Sequence, residues 1–149
     1  MMITGRKRQN MNDPNSSNAP SGLVDIRGFT NSANLKLING YGENSFRISG
    51  ERHSGSIILR PRQTLAWDPP KNSNDLIIDH ILPHLGKVPP PLFILGVGGA
   101  PMAPMSDLAV SLKALDIALE LMSTAAACRT WNVLMSEGRD AAAGIYAIA

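Results

Sequence analysis

From residue 35 onward, apolar and polar positions fall into short runs whose period changes along the chain. "LKLI" (35–38) alternates and runs into the turn-rich "NGYGEN" (39–44). "SFRISGERH" (45–53) alternates around Phe46 and Ile48, and Gly55 separates it from "SIILRPRQTLAW" (56–67). The two runs predict an antiparallel pair, with Pro61 placing the second at a sheet edge or a bulge. "NSNDLIIDHILPHLG" (72–86) predicts a capped amphipathic helix. Its Ile78, Ile81, Leu82 and Leu85 share one face, Pro83 limits the last turn, and Gly86 stops it.

"PLFILGVG" (91–98) is a continuous apolar run closed by glycines, the pattern of a strand buried on both faces in a parallel sheet. "SDLAVSLKAL" (106–115) follows as a helix with Ser106 as its N-cap and Leu108, Leu112 and Leu115 on one face. At "ALDIALELM" (114–122) helix propensity and alternation conflict. The strand reading is preferred, with Asp116 ending the helix, because one long helix would leave the "LFIL" run without strand partners. "TAAACRTWNVLMSEG" (124–138) is then a helix capped by Ser123 or Thr124 and stopped by Gly138, and "AAAGIYAI" (141–148) a last strand. This β-α-β-α-β order predicts parallel pairing, so the fold class is α/β: a small parallel sheet with a βαβαβ core and N-terminal antiparallel strands.

Composition refines this picture. Residues 1–22 are dominated by Asn, Ser, Pro and Gly, and "LVDIRGFT" (23–30) is at most an extra edge strand. Residues 1–32 therefore read as a disordered or loosely attached tail and 33–149 as a single α/β domain. Aromatic residues are only 5 %, so the core must rest on aliphatic side chains. Arg6, Lys7, Arg8 and Arg27 against Asp13 and Asp25 give the tail the whole net charge of +2. The balanced remainder has no excess with which to hold nucleic acid, and the run at 6–8 is too short for a polybasic membrane anchor. No stretch is long and apolar enough to span a bilayer, and the N-terminal residues lack the apolar segment of a signal peptide. The single cysteine excludes an internal disulfide and a cysteine-based metal site, in keeping with a cytoplasmic setting.

Candidate chemistry is sparse. On the helix, Cys128 shares a stripe with Trp131 and Met135, so it reads as a core thiol, although it lies within about a turn of the helix start. A thiol enzyme using Cys128 is one alternative. The loop Gly96–Pro101 follows the buried strand, where a phosphate-binding turn would sit, and Glu120 lies where a ribose-binding acid would stand. The pattern is not G-x-G-x-x-G, and Pro101 and Pro104 intervene, so a small anion- or nucleotide-binding protein is the other alternative. His80 and His84 have a metal-ligand spacing but no third ligand in sequence, and read as solvated. Arg60 and Arg62 flank Pro61 on one strand face, and Trp67 reads as a lid on the core. No metal and no cofactor is called for.

"GYGENSFRI…HSGSIIL" and "LFILGVG…IALELMSTAAACRTWNVLMSEGRDAAAGI" resemble the domain-of-unknown-function 498 family over about residues 33–149. That family includes the mitochondrial respiratory complex I assembly factor 3 and small alphaproteobacterial proteins. Its most specific counterpart is "TAAACRTWNVLMSEGR", with the His53–Gly55–Ser56 turn and the Gly96/Gly98 strand end also matching. The resemblance implies a compact three-layer α/β fold and supports the strand at 117–122. Where the family usually has Gly before that strand, this chain has Asp116, which tolerates left-handed backbone. Where the family often has Gly-Thr-Gly, this chain has Gly96-Val97-Gly98. The family supplies no catalytic residues. The leading expectation is a non-catalytic binding or assembly-factor domain with a protein partner, assisting a membrane complex from the cytoplasmic side. The candidate binding residues are Gly96, Gly98, Gly99, Thr124, Arg129 and Arg139: Arg129, Arg139 and the 96–101 loop near one rim in this reading, and that loop with the N-terminus of the Thr124 helix in the anion-binding alternative.

Overall fold

A computed structural model describes residues 34–99 and 104–149. The expected tail and "LVDIRGFT" lie outside the described residues, as do Ala100 and Pro101 of the glycine loop. The elements are β1 (Ile38–Gly42), β2 (Ser45–Ile48), β3 (Glu51–Ser54), β4 (Ile57–Arg60), β5 (Gln63–Ala66), β6 (Leu92–Gly96), α1 (Ser106–Lys113), β7 (Ala118–Met122), α2 (Thr124–Ser136) and β8 (Ala142–Ile145). Strands β1-β2-β3 form an antiparallel sheet, and a second sheet runs β5-β4-β8-β6-β7. In it β8, β6 and β7 are parallel, while β4 pairs antiparallel with both β5 and β8. This is the expected α/β architecture, with β6 at the centre of the βαβαβ unit.

Alternation along the central strands divides the interior in two. Ile57, Leu59, Ile94, Ala143 and Ile145 face α2, where they meet Ala127, Cys128, Trp131, Leu134 and Met135, and behind the helix Ile38, Phe46 and Ile48 of the small sheet. Ile58, Phe93, Leu95 and Ala142 face the other way, onto Leu108 and Leu112 of α1 and onto Leu76, Ile81 and Leu85. Each face of the five-stranded sheet is thus covered, which is why β6 is buried from Phe93 to Gly96.

Several expectations need correction. The run 45–53 is itself a hairpin, β2–β3, closed by Ser49 and Gly50, whose φ of 48 and 88 are the positive values a two-residue hairpin turn requires. Residues 56–67 form a second hairpin, β4–β5, in the other sheet. Pro61 and Arg62 make its two-residue turn, so Pro61 is neither in a strand nor at a bulge, and Arg60 and Arg62 do not share a strand face.

The helix expected over 72–86 is instead three 3-10 turns, Ser73–Asp75, Ile78–His80 and Leu82–His84. Backbone groups an α-helix would pair internally are taken elsewhere. Trp67 Nε1 donates to the His80 carbonyl at 2.9 Å, His80 Nδ1 accepts the Ile77 N–H at 3.0 Å, and Pro83 has no N–H to give. Ser106 is the first residue of α1 rather than its cap; Met105 holds the cap position without a side-chain bond. Leu115 lies past the helix end and is exposed, unlike Leu108 and Leu112.

Asp116 has φ 61, the left-handed conformation expected at the α1–β7 junction. Ser123 caps α2 by accepting the Ala126 N–H at 3.1 Å. At the other end Gly138, with φ 70, donates to the Met135 carbonyl while the Arg139 N–H reaches Leu134, a Schellman closure.

Two adjacent α2 residues clasp the first strand. Trp131 Nε1 donates to the Lys36 carbonyl at 2.7 Å. Asn132 Oδ1 accepts the Ile38 N–H and Asn132 Nδ2 donates to the Ile38 carbonyl, both at 2.8 Å. The Asn132 amide therefore pairs with both polar groups of Ile38 as a neighbouring strand would. Asn132→Ala removes both bonds and is expected to lower stability by about 2–3 kcal/mol. The check is a lower urea midpoint at an unchanged slope.

Candidate functional site

In a sheet of this kind the natural crevice lies beyond the carboxyl ends of the parallel strands, where β6 leads toward α1 and β7 toward α2. Gly96 and Gly98 at the end of β6 lie against the first turn of α2 there, and the polar groups of Gly98 and Thr124 are committed to the fold. Thr124 is fully buried. Its Oγ1 accepts the Gly98 N–H at 2.9 Å and donates to the Tyr146 carbonyl at 2.7 Å. The Thr124 N–H in turn donates to the Gly98 carbonyl at 2.9 Å. The strand end is thereby bonded to the helix start at the place where an anion would have to enter. Gly98 needs no side chain because its φ is 91. Gly96 is required by packing: a Cβ there would lie 2.7 Å from Ala127 Cβ and 3.1 Å from Ile145 Cγ2.

The segment after β8 completes this node. Tyr146 N donates to the Gly96 carbonyl, Ala147 N to Ser56 Oγ, and the Ile148 carbonyl accepts from Asn44 N. The Tyr146 hydroxyl donates to the Pro70 carbonyl at 2.7 Å, with its ring edge-on to Trp67 at 5.6 Å. Ser56 of the expected His53–Gly55–Ser56 turn is thus a structural acceptor. Burial, with the Asp75 carboxylate adding to it, pushes the Tyr146 phenol up to about 12.

Cys128 lies on the buried stripe of α2 with 4 % exposure, among Trp131, Met135 and the sheet. Burial pushes its thiol up to about 12 despite the pull of the neighbouring Arg129 charge. A thiol so placed is protonated at neutral pH and has no nucleophilic form to offer. His80 and His84 sit on separate 3-10 turns, and His80 Nδ1 is already an acceptor for backbone. No group of three His, Cys, Asp or Glu side chains is placed to hold a metal ion among the described residues.

The six candidate binding residues are not all together, and Arg139 stands apart from the glycines with which it was expected to share a rim. Gly96, Gly98, Gly99 and Thr124 mark the start of α2, and Arg129 stands exposed more than a turn further on. Arg139 lies beyond the far end of the 13-residue helix, where its guanidinium is 3.8 Å from Glu137. A helix of that length separates it from Thr124 by roughly 20 Å. Reading the sequence missed the Tyr146–Thr124–Gly98 node and the Asn132 clasp. The one available signal was local: two hydroxyl residues, Ser123 and Thr124, at a helix start that needs a single cap.

These features define an α/β scaffold whose internal polar groups serve the fold. The chain belongs to the family described as Protein of unknown function (DUF498/DUF598), whose model matches residues 38–146. It is 36 % identical over 108 residues to an uncharacterised protein of Rhodobacter capsulatus, covering 72 % of this chain and 82 % of that one. It is 29 % identical over 109 residues to the NADH dehydrogenase [ubiquinone] 1 alpha subcomplex assembly factor 3 of Danio rerio, covering 73 % of this chain and 63 % of the relative. A crystal structure from Bordetella parapertussis superposes with a TM-score of 0.66 at 25 % identity, covering 76 % of this chain and 96 % of that one.

Thr124→Val keeps the shape but strands the Gly98 N–H and the Tyr146 carbonyl, so a loss of about 2 kcal/mol or more is expected, with Thr124→Ser much closer to the parent protein. Thermal or urea unfolding of the pair reads the difference. For Cys128 the folded pKa lies above the unfolded value of 9.0, so its stabilisation is complete below pH 9 and lost as pH rises toward about 12. The expected fall is at most about 1.4 kcal/mol per pH unit. Tyr146 contributes in the same direction from pH 10 upward. Unfolding curves from pH 8 to 11 are therefore expected to flatten in Cys128→Ala, and thiol labelling of the native protein to proceed only as fast as the chain opens.

Proposed function

We propose that this chain is a non-catalytic protein-binding domain that assists assembly of a membrane-bound respiratory complex of the NADH dehydrogenase kind, working from the cytoplasmic side. The observation that carries this reading is the 29 % identity, over most of the domain, with a relative named as an assembly factor of that complex. The interior chemistry supports it. The thiol is buried and protonated, the Thr124 hydroxyl has its donor and acceptor capacity engaged, and Gly98 is bonded to the start of α2. With these interior groups serving the fold, we read recognition as taking place on the surface. No helix among the described residues is long and apolar enough to cross a membrane, so contact with the complex would be made through its exposed subunits. Arg129, with the exposed Val133 one turn along α2, belongs to the surface available for recognition.

The test is a host strain lacking the chain, its membranes separated on native gels and stained for NADH dehydrogenase activity. Loss of the full-size complex with accumulation of smaller intermediates is expected. Full rescue is expected from the parent gene and also from Cys128→Ala, because the thiol has no chemical role. A deletion strain with normal complex overturns the assembly reading, and failure of Cys128→Ala in a stably folded protein overturns the non-catalytic one.

A further inference from the structure

The outer face of the small sheet breaks two local rules at one place. Phe46 and Ile48 of β2 point inward to α2, so Arg47 points out, and the register sets Arg47 directly opposite Arg52 of β3 and Gly40 of β1. Like charges facing each other across an antiparallel pair are destabilising. No carboxylate pairs with them directly: among the described residues neither arginine makes an ion pair, and their hydrogen bonds run from Arg47 Nη1 to the Gly50 carbonyl and from Arg52 Nη1 to Ser54 Oγ. A guanidinium has several more N–H groups than these bonds use.

Gly40 is the second irregularity. Glycine inside a strand weakens it and often marks close approach by another backbone. A Cβ at Gly40 would meet nothing within 4 Å, and its φ is not positive, so neither packing nor backbone requires glycine here. A register shift at the preceding residue adds a bulge to the same strand. Gly40, Tyr41, Gly42, Arg47 and Arg52 line an open groove, with Glu43 of the β1–β2 turn at its end.

We propose that this face is a docking groove for an extended acidic segment of a protein partner, its carboxylates held by Arg47 and Arg52 and its backbone lying over Gly40. The proposal deepens, and rests on, the protein-binding reading above. Planar guanidinium groups suit carboxylates through paired N–H bonds, and the bare glycine floor admits a peptide backbone. An anionic bilayer is the poorer fit. Surface attraction of that kind takes a cluster of basic residues, whereas this face carries two, set for paired bonds to single carboxylates.

The test measures fluorescence anisotropy of labelled hexaglutamate with the full chain at low salt, against hexalysine and phosphatidylserine vesicles. Binding of hexaglutamate is expected to weaken about tenfold or more in Arg47→Ala/Arg52→Ala, and comparably in Gly40→Val, which fills the groove. Lys113→Ala, an exposed basic residue of α1 away from this face, is expected to bind as the parent does. Because the arginines repel each other, the double variant is expected to melt no lower than the parent protein. Absent hexaglutamate binding, equal binding by the double variant, a clear fall in its melting temperature, or a preference for vesicles over peptide each overturns the proposal. In the deletion strain the two readings separate. A normal complex without the chain removes the assembly reading, while full rescue of a defective complex by Arg47→Ala/Arg52→Ala removes only the groove.

Discussion

The fold depends on one helix being buried on more than one side. α2 lies against β6 and β8 of the large sheet, and the small sheet closes over it from behind. A helix so placed cannot present a polar face to water in the usual proportion. Its buried positions therefore read Thr124, Ala127, Cys128, Trp131, Leu134 and Met135, and the polar atoms among them are matched to backbone. Trp131 and Asn132 satisfy the entering strand at Lys36 and Ile38, and Thr124 satisfies Gly98 and Tyr146. Burying any of these groups without a partner costs free energy comparable to a lost hydrogen bond or more, so the matches also fix where the small sheet sits on the helix.

Cys128 takes its character from the same constraint. At the fifth residue of a helix, about a turn from its start, a thiol near solvent would feel the helix dipole and the Arg129 charge, and both favour the thiolate. Desolvation outweighs that pull and the thiol ends well above its ordinary value. The decision between reactive and inert is made by the sheet behind α2, not by the residues beside the cysteine in sequence.

What could be read from the sequence, and what could not, follows the range of the interactions. The βαβαβ core was legible because β6 is buried on both faces and its apolar run is unbroken, and because α2 carries a clean stripe closed by Gly138. Asp116 was legible because few residues other than glycine tolerate its backbone. The segment 72–86 was not. Its Ile81 and Leu85 do go inward, but Leu76 replaces Ile78 as the third buried anchor, since the chain turns in 3-10 geometry. The cause is Trp67, distant in sequence, reaching the His80 carbonyl. The β2–β3 hairpin was hidden differently: "RISGER" alternates well enough to pass for one strand, and only the positive φ at Ser49 and Gly50 shows the reversal. Treating it as one strand also separated Arg47 from Arg52, which the turn brings face to face.

That juxtaposition bears on where function can reside in a fold of this type. Residues that satisfy local rules on every level leave nothing to explain beyond the fold itself. In this chain the residues that stood out by sequence — Cys128, Thr124, Gly96 and Gly98 — all prove to have structural reasons that account for their identity. Arg47, Arg52 and Gly40 drew no attention, yet they are the ones whose identities the fold does not require: the arginines repel, and the glycine has ordinary backbone beneath empty space. A surface kept locally unfavourable is most simply understood as one made favourable by something that binds there. A carboxylate between two guanidinium groups turns their mutual repulsion into attraction on both sides, so the cost carried by the free chain becomes part of the affinity for its partner.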